Sequence, residues 1–237
     1  MSNDYRQDHQ RDRMFKLATK VHTLVLDGKR MAQQVADAYQ SILDQRDKLF
    51  FVTKTGIAVY DHGDHFTFTL PATDGITGTQ WIPRFESKGF PINNYANSVL
   101  RSPDFKPTNS VLRSPDFKPT TGIITEVAVL KGMLLAEKVR ITKNIRNIAN
   151  DRKWITPNPE IACLIREMFT NEEIIAMGLT GIIAMHEPIK DSDGDSSLLC
   201  VSCDDGRQWL GAYYSGPRRW DHGFGFAFAV SHVSTQN

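Results

Sequence analysis

The sequence predicts an α+β fold: a mainly antiparallel sheet, built from an N-terminal meander and C-terminal hairpins, packed by amphipathic helices and carrying a long irregular arm. Three observations predict it. The apolar period is helical up to about Leu49 and then switches to two. The C-terminal part alternates apolar runs with Asp- and Gly-rich turns. Between them, residues 71–122 sustain neither period.

The first helical stretch is 14–49. Met14, Leu17, Val21, Leu24 and Val25 fall at helical spacings, and Gly28 interrupts them. Met31, Val35, Ala38, Tyr39, Ile42 and Leu43 then recur at three and four, which makes one apolar face that must dock on something. From Leu49 the meander follows. Phe50-Phe51-Val52 and Ile57-Ala58-Val59-Tyr60 flank a turn-like Thr53-Lys54-Thr55-Gly56. Asp61-His62-Gly63-Asp64 leads into a third strand in which Phe66, Phe68 and Leu70 share a face.

Residues 71–122 are punctuated by Pro71, Gly75, Gly78, Pro83, Gly89, Pro91, Pro103, Pro107, Pro115, Pro119 and Gly122. So long a segment without periodicity is uncommon inside a compact domain and reads as an arm laid on something else. Within it Asn97–Thr108 is repeated without change as Asn109–Thr120. Two short copies do not make a solenoid, and the prolines exclude a continuous helix. An in-frame duplication fits, since doubling a flexible loop costs only about 0.6 kcal/mol.

Leu130, Leu134, Ile141, Ile145 and Ile148 predict a helix over about 124–150. Asn158-Pro159-Glu160 predicts another over 159–169. Thr170-Asn171-Glu172-Glu173 fits a capping box for a short helix closed by Gly178. Strands are expected at 182–189, 198–203, 207–214 and 224–233, with Asp205-Gly206 as a hairpin signal. In the last strand Phe224, Phe226, Phe228 and Val230 share one face. Gly223, Gly225, Ala227 and Ala229 on the other admit a close neighbour. The organisation expected is 1–70 (helices and meander), 71–122 (arm) and 123–237 (helices, then strands), as one folded domain overall.

Composition narrows the function classes. The 237 residues carry 28 Lys+Arg against 27 Asp+Glu, with 41% hydrophobic and 23% charged residues. That excludes wholesale disorder and a strongly basic or acidic protein. Apolar runs are far shorter than the roughly 20 residues of a membrane span, so no membrane partner is expected. The polar stretch Met1–Arg13 has no apolar signal-peptide core. The cysteines number three, Cys163, Cys200 and Cys203, which suits a reducing compartment. The location expected is cytoplasmic, or in a virion assembled in the cytoplasm.

Several clusters could carry chemistry. Asp61, His62, Asp64 and His65 form the densest set of metal-ligating types; they would suit a divalent transition metal in a hydrolase, although a polar turn explains them more simply. Cys200-Val-Ser-Cys203 could complete a zinc site with His62 and His65, but positions three apart in a strand point to opposite faces. Asp191-Ser-Asp-Gly-Asp195 resembles the start of a calcium loop, yet Ser196 stands where the turn Gly belongs and Ser202 where the bidentate Glu belongs. Trp220, Asp221, His222 and His232 could serve acid/base work, but no Gly-x-Ser-x-Gly elbow, phosphate loop or dinucleotide fingerprint accompanies them. Lys138, Arg140, Lys143, Arg146, Arg152 and Lys153 face only Asp151. A basic helix of this kind could lie along nucleic-acid phosphates, with Trp154 and Arg218-Arg219-Trp220 adding stacking surfaces.

With no catalytic signature, the reading is a non-enzymatic structural or interaction protein of a larger homo- or hetero-oligomeric assembly. A capsid, neck or tail component of a virion fits it. No cofactor is expected, and the partners are other copies or other subunits. Trp81, Phe85, Phe90, Tyr95, Phe105 and Phe117 would anchor the arm on neighbours. The metal-dependent hydrolase and the nucleic-acid-binding protein are the alternatives.

Overall fold

The structure, a computed structural model, describes residues 49–72, 76–105, 125–204 and 207–230. The helices expected over 14–49, the second repeat copy with Phe117, the Asp205-Gly206 turn and His232 lie outside the described residues.

The meander forms as expected: β1 (Leu49–Val52), β2 (Ala58–Asp61) and β3 (His65–Leu70) pair antiparallel in sequence order. Gly56 and Gly63 take left-handed φ of 88° and 87° in the two turns, a conformation that glycine adopts without a Cβ clash. The next strand corrects the sequence reading. Residues Thr125–Lys131 are β4, not the start of a helix; they pair with β3 from Leu70↔Thr125 to His65↔Leu130. Val127 and Val129 enter one core and Ala128 and Leu130 another, so the strand is apolar on both faces and shows no alternation. Leu130 and Leu134 matched a helical spacing by coincidence. Gly132–Leu134 and Glu137–Val139 are 3-10 turns.

Within the stretch read as an irregular arm, two helices form: α1 (Gly78–Ser87) and α2 (Asn94–Arg101). The Gln80 Oε1 accepts from Thr77 N at 2.7 Å, and the Asn93 side chain accepts from Ala96 N at 2.7 Å. Pro83 sits inside α1. The first repeat copy is thereby split: Asn97–Arg101 is helical, Ser102 caps it before Pro103, and Val99, Leu100 and Phe105 are buried. The two helices touch through Gly78, where a Cβ would lie 2.0 Å from Leu100 O and 2.8 Å from Phe105 Cδ1. Gly78→Ala is therefore expected to cost about 1–3 kcal/mol or more by overpacking. A thermal melt checks it: an unchanged Tm would show that α1 and α2 do not meet at this point.

The remaining helices are α3 (Thr142–Asp151), α4 (Glu160–Met168) and α5 (Asn171–Ala176). The α4 start uses the expected residues, with Glu160 N donating to Asn158 Oδ1 at 2.9 Å. The capping box of α5 is present: Thr170 N donates to Glu173 Oε2 (2.8 Å) and Glu173 N to Thr170 Oγ1 (3.3 Å), and Gly178 follows at φ 75°. The other strands are β5 (Trp154–Ile155), β6 (Gly181–Ala184), β7 (Ile189–Lys190), β8 (Ser196–Asp204), β9 (Arg207–Tyr214) and β10 (Phe224–Val230). The run expected as one strand over 182–189 is thus two, separated at 185–188.

These strands make a 10-stranded, mostly antiparallel sheet in the order β1-β2-β3-β4-β10-β6-β8-β7, with β5 on β10 and β9 on β8. The β10–β6 pair is parallel. One face carries Val59, Phe66, Phe68, Val127, Val201 and Ala227 against the buried side chains of α1, α2, α4 and α5. The other carries Leu130, Ile183, Cys200, Phe226 and Phe228 against Ile145, Trp154 and Trp220. The two faces of β10 divide as its sequence implies, small residues to the first layer and phenylalanines to the second. No helix among the described residues is long and apolar enough to cross a membrane.

Candidate functional site

The Asp61–His65 cluster folds into the β2–β3 turn, and its carboxylates are taken by cations. Lys131, itself buried, donates from Nζ to Asp61 Oδ1 (2.6 Å) and Gly63 O (2.8 Å), and its ammonium sits 4.0 Å from the Phe66 ring centroid. Arg152 Nη2 donates to Asp64 Oδ2 at 2.6 Å. That bond is the main reason the Asp64 carboxyl titrates near 2, with His65 adding to it against a partial desolvation. The His65 Nδ1 pairs with Asp64 Oδ1 (2.7 Å), and the His62 Nε2 with Thr67 Oγ1 (2.9 Å). The two imidazoles stack at 4.7 Å, and His65 leans on Trp154 at 4.9 Å. A metal bound here would have to displace Lys131 and Arg152 from their carboxylates. Among the described residues, no three His, Cys, Asp or Glu side chains converge on a common point.

The other ligand candidates are spent on structure. Cys200 is buried in the second core and Cys203 is half-buried beside Arg166, so the pair diverges as strand geometry requires. Burial pushes the two thiols up to about 12 and about 11, so both stay protonated at neutral pH. They lie on β8, which β4, β10 and β6 separate from His62 and His65 of the β2–β3 hairpin. In the β7–β8 turn, Asp191 Oδ1 accepts from Asp193 N (3.0 Å) and Asp195 N (3.1 Å), which is turn chemistry and not a calcium loop. Trp220 is buried, with Nε1 donating to Thr142 Oγ1 at 3.1 Å. Asp221 Oδ1 accepts from Gly223 N at 2.8 Å, and His222 lies exposed 3.5 Å from it.

The expected aromatic anchors lie mostly inside this chain. Trp81, Phe85 and Phe105 are buried in the chain's own first core, and Phe90 is half-buried against it. Of the anchors within the described residues, Tyr95 is the exposed one. The basic segment is divided rather than a continuous stripe. Arg140 donates to Trp220 O (3.1 Å) and Leu135 O (3.1 Å), Arg146 to His186 O (2.5 Å) and Glu187 (3.1 Å), and Arg152 to Asp64. Lys138, Lys143 and Lys153 point to solvent.

Besides Lys131, His186 and Arg166 are buried ionisable side chains that escaped the sequence reading, because a single His or Arg in an apolar run carries no motif. His186 accepts from Leu199 N at Nε2 (2.9 Å), so its proton sits on Nδ1 and donates to Glu187 O (2.6 Å). Burial lowers its pKa to about 4, with Arg146 adding to the effect. Arg166 is fully buried; it donates to Phe169 O at the end of α4 and reaches Asn171 Oδ1 at 3.4 Å, while desolvation lowers it to about 10.

The two edges of the sheet differ. At β9 the chain before α2 closes the edge: Ile92 bridges Leu210 in parallel, Asn93 N donates to Leu210 O (3.1 Å) and Leu210 N to Pro91 O (3.0 Å). At the other end β1 pairs with β2 alone among the described residues. Val52 is 57% exposed and Tyr60, on the neighbouring strand, is 39% exposed. Comparison of the chain with protein-family models, with curated proteins and with solved structures gives no match.

Proposed function

We propose that this chain is a non-enzymatic structural subunit that builds a larger assembly by meeting a second copy of itself along β1. The apolar edge Leu49-Phe50-Phe51-Val52, unpaired on its outer side among the described residues, carries the reading. A strand at a sheet edge presents unpaired N–H and C=O groups, and natural proteins blunt such edges with charge, proline or a covering segment. Here β9 is covered and β1 is neither charged nor broken by proline. Because Thr53 N donates to Ile57 O across the hairpin (2.8 Å), alternation directs the Val52 N–H outward. An incoming strand would therefore find donors, acceptors and apolar side chains together.

Light scattering tests this over a range of protein concentration. Wild type is expected to exceed the monomer mass. Val52→Lys, which adds charge at an exposed position, and Val52→Pro, which deletes the outward donor, are expected to return it to monomer with little loss of stability. A wild type that stays monomeric at millimolar concentration, or variants that assemble as well as wild type, would overturn the proposal.

A further inference from the structure

We infer that the surface carrying Lys138, Lys143, Arg218 and Arg219 binds the backbone of single-stranded nucleic acid. The fold unites two basic stretches that are far apart in the chain. Ile141 forms an isolated bridge with Arg219, Trp220 N donates to Arg140 O (2.7 Å), and Arg140 Nε donates to Trp220 O (3.1 Å). Thr142 ties the junction down, accepting from Trp220 Nε1 (3.1 Å) and donating to Ser215 O (3.0 Å). The cations therefore rise from a fixed floor and not from a frayed loop.

The charge balance at this floor is positive. Lys138, Lys143 and Arg218 are exposed, and among the described residues none of them has a carboxylate within ion-pair reach. Arg219 pairs with Glu137 at 2.6 Å, but both side chains are 66% exposed, so a phosphate can compete for that guanidinium. Arg140 adds a charge beneath them while donating only to carbonyls. The facing acids are Glu137 and Asp221, and Asp221 is engaged by Gly223 N.

The setting of Arg218 favours a nucleic acid over an acidic peptide as the occupant. The Arg218 guanidinium carbon lies 5.2 Å from the Trp220 ring centroid and 5.6 Å from that of Tyr213, which holds the group in place and leaves its outer side to solvent. Bases stack on a guanidinium plane while phosphates pair with its N–H edges, whereas a carboxylate side chain uses the edges alone. A single strand presents both its phosphates and its base faces, which a duplex does not.

Anisotropy titration of a fluorescein-labelled oligothymidylate of about 20 nucleotides with the full chain tests this across 50–200 mM salt, the range over which phosphate contacts are lost. Wild type is expected to bind with a log K against log salt slope of about −3, at about −0.7 for each phosphate neutralised. Lys143→Glu places an acid in the first turn of α3, where the helix dipole favours it, so the fold is kept and affinity should fall several-fold. Lys143→Glu with Arg218→Glu should cost at least about tenfold and flatten the slope by about half. Lys153→Glu, at the far end of α3, should change nothing. Absence of wild-type binding, retention of affinity by both variants, or competition by polyglutamate as strong as by unlabelled oligonucleotide would overturn the inference; the last would assign the surface to an acidic protein.

Discussion

Trp81→Ala will lower the unfolding free energy by about 3–5 kcal/mol, the usual cost of deleting a buried tryptophan. The side chain is wholly buried, 5.3 Å from the Phe85 ring and capped by the Arg84 guanidinium at 4.6 Å from its centroid. Against a total stability of about 5–15 kcal/mol, a loss of this size removes a large share of the folded state's margin. Urea unfolding of the monomer measures it. Tyr95→Ala, on the next helix but exposed, should stay within about 0.5 kcal/mol of wild type. The contrast decides between two roles for the aromatics of 71–122. If Trp81 anchored a neighbouring subunit, its loss would weaken association and leave the monomer's unfolding unchanged. Because Trp81 Nε1 is buried with no acceptor among the described residues, Trp81→Phe should cost less than the lost volume alone implies.

Acidification will remove on the order of 3 kcal/mol through His186 alone, as expected for a pKa lowered from 6.5 to about 4. The folded state holds this imidazole neutral because Leu199 N donates to its Nε2, a place a second proton would need. The unfolded chain takes up a proton below pH 6.5 and the folded one only near pH 4. The stabilisation is thus full above pH 6.5 and is lost as the pH falls toward 4. Guanidinium titrations at pH 7.5, 5.5 and 4.5 will show it as the difference between wild type and His186→Gln, which retains a donor and an acceptor but does not titrate. The His186 ring resonances in an NMR titration provide a second readout: they should hold the Nδ1-protonated neutral form down to about pH 5. An imidazole that titrates near its ordinary value would show the buried hydrogen bonds to be absent.

What was legible in the sequence depended on whether a signal was local. The meander was legible because Phe66, Phe68 and Leu70 alternate with threonines, and the turn glycines sit where a left-handed φ is needed. The capping box of α5 was legible because Thr170 and Glu173 satisfy each other within one turn. For α1 the same kind of signal, Thr77 with Gln80, lies directly before the helix. Pro83 and the density of glycine and proline around it mask that signal in the sequence. The β4 strand was misread because burial on both faces erases the period-two pattern, leaving only chance spacings. The basic stretch was legible as charge, but the fates of Arg140, Arg146 and Arg152 were not. Each bonds a group far away in the chain or across a turn.

The sequence by itself determined the class of the fold, the places where strands turn, and the caps that begin α4 and α5, because each rests on contacts within a few residues. Only the tertiary structure decided which aromatics are core, and that Lys131 and Arg152 neutralise the Asp61–His65 turn. It alone set Arg219 beside Ile141 and left the outer side of β1 unpaired among the described residues. The physical reason is common to all of these. Burial, ion pairing and edge position are properties of what the rest of the chain brings alongside a residue. No window along the sequence contains that information.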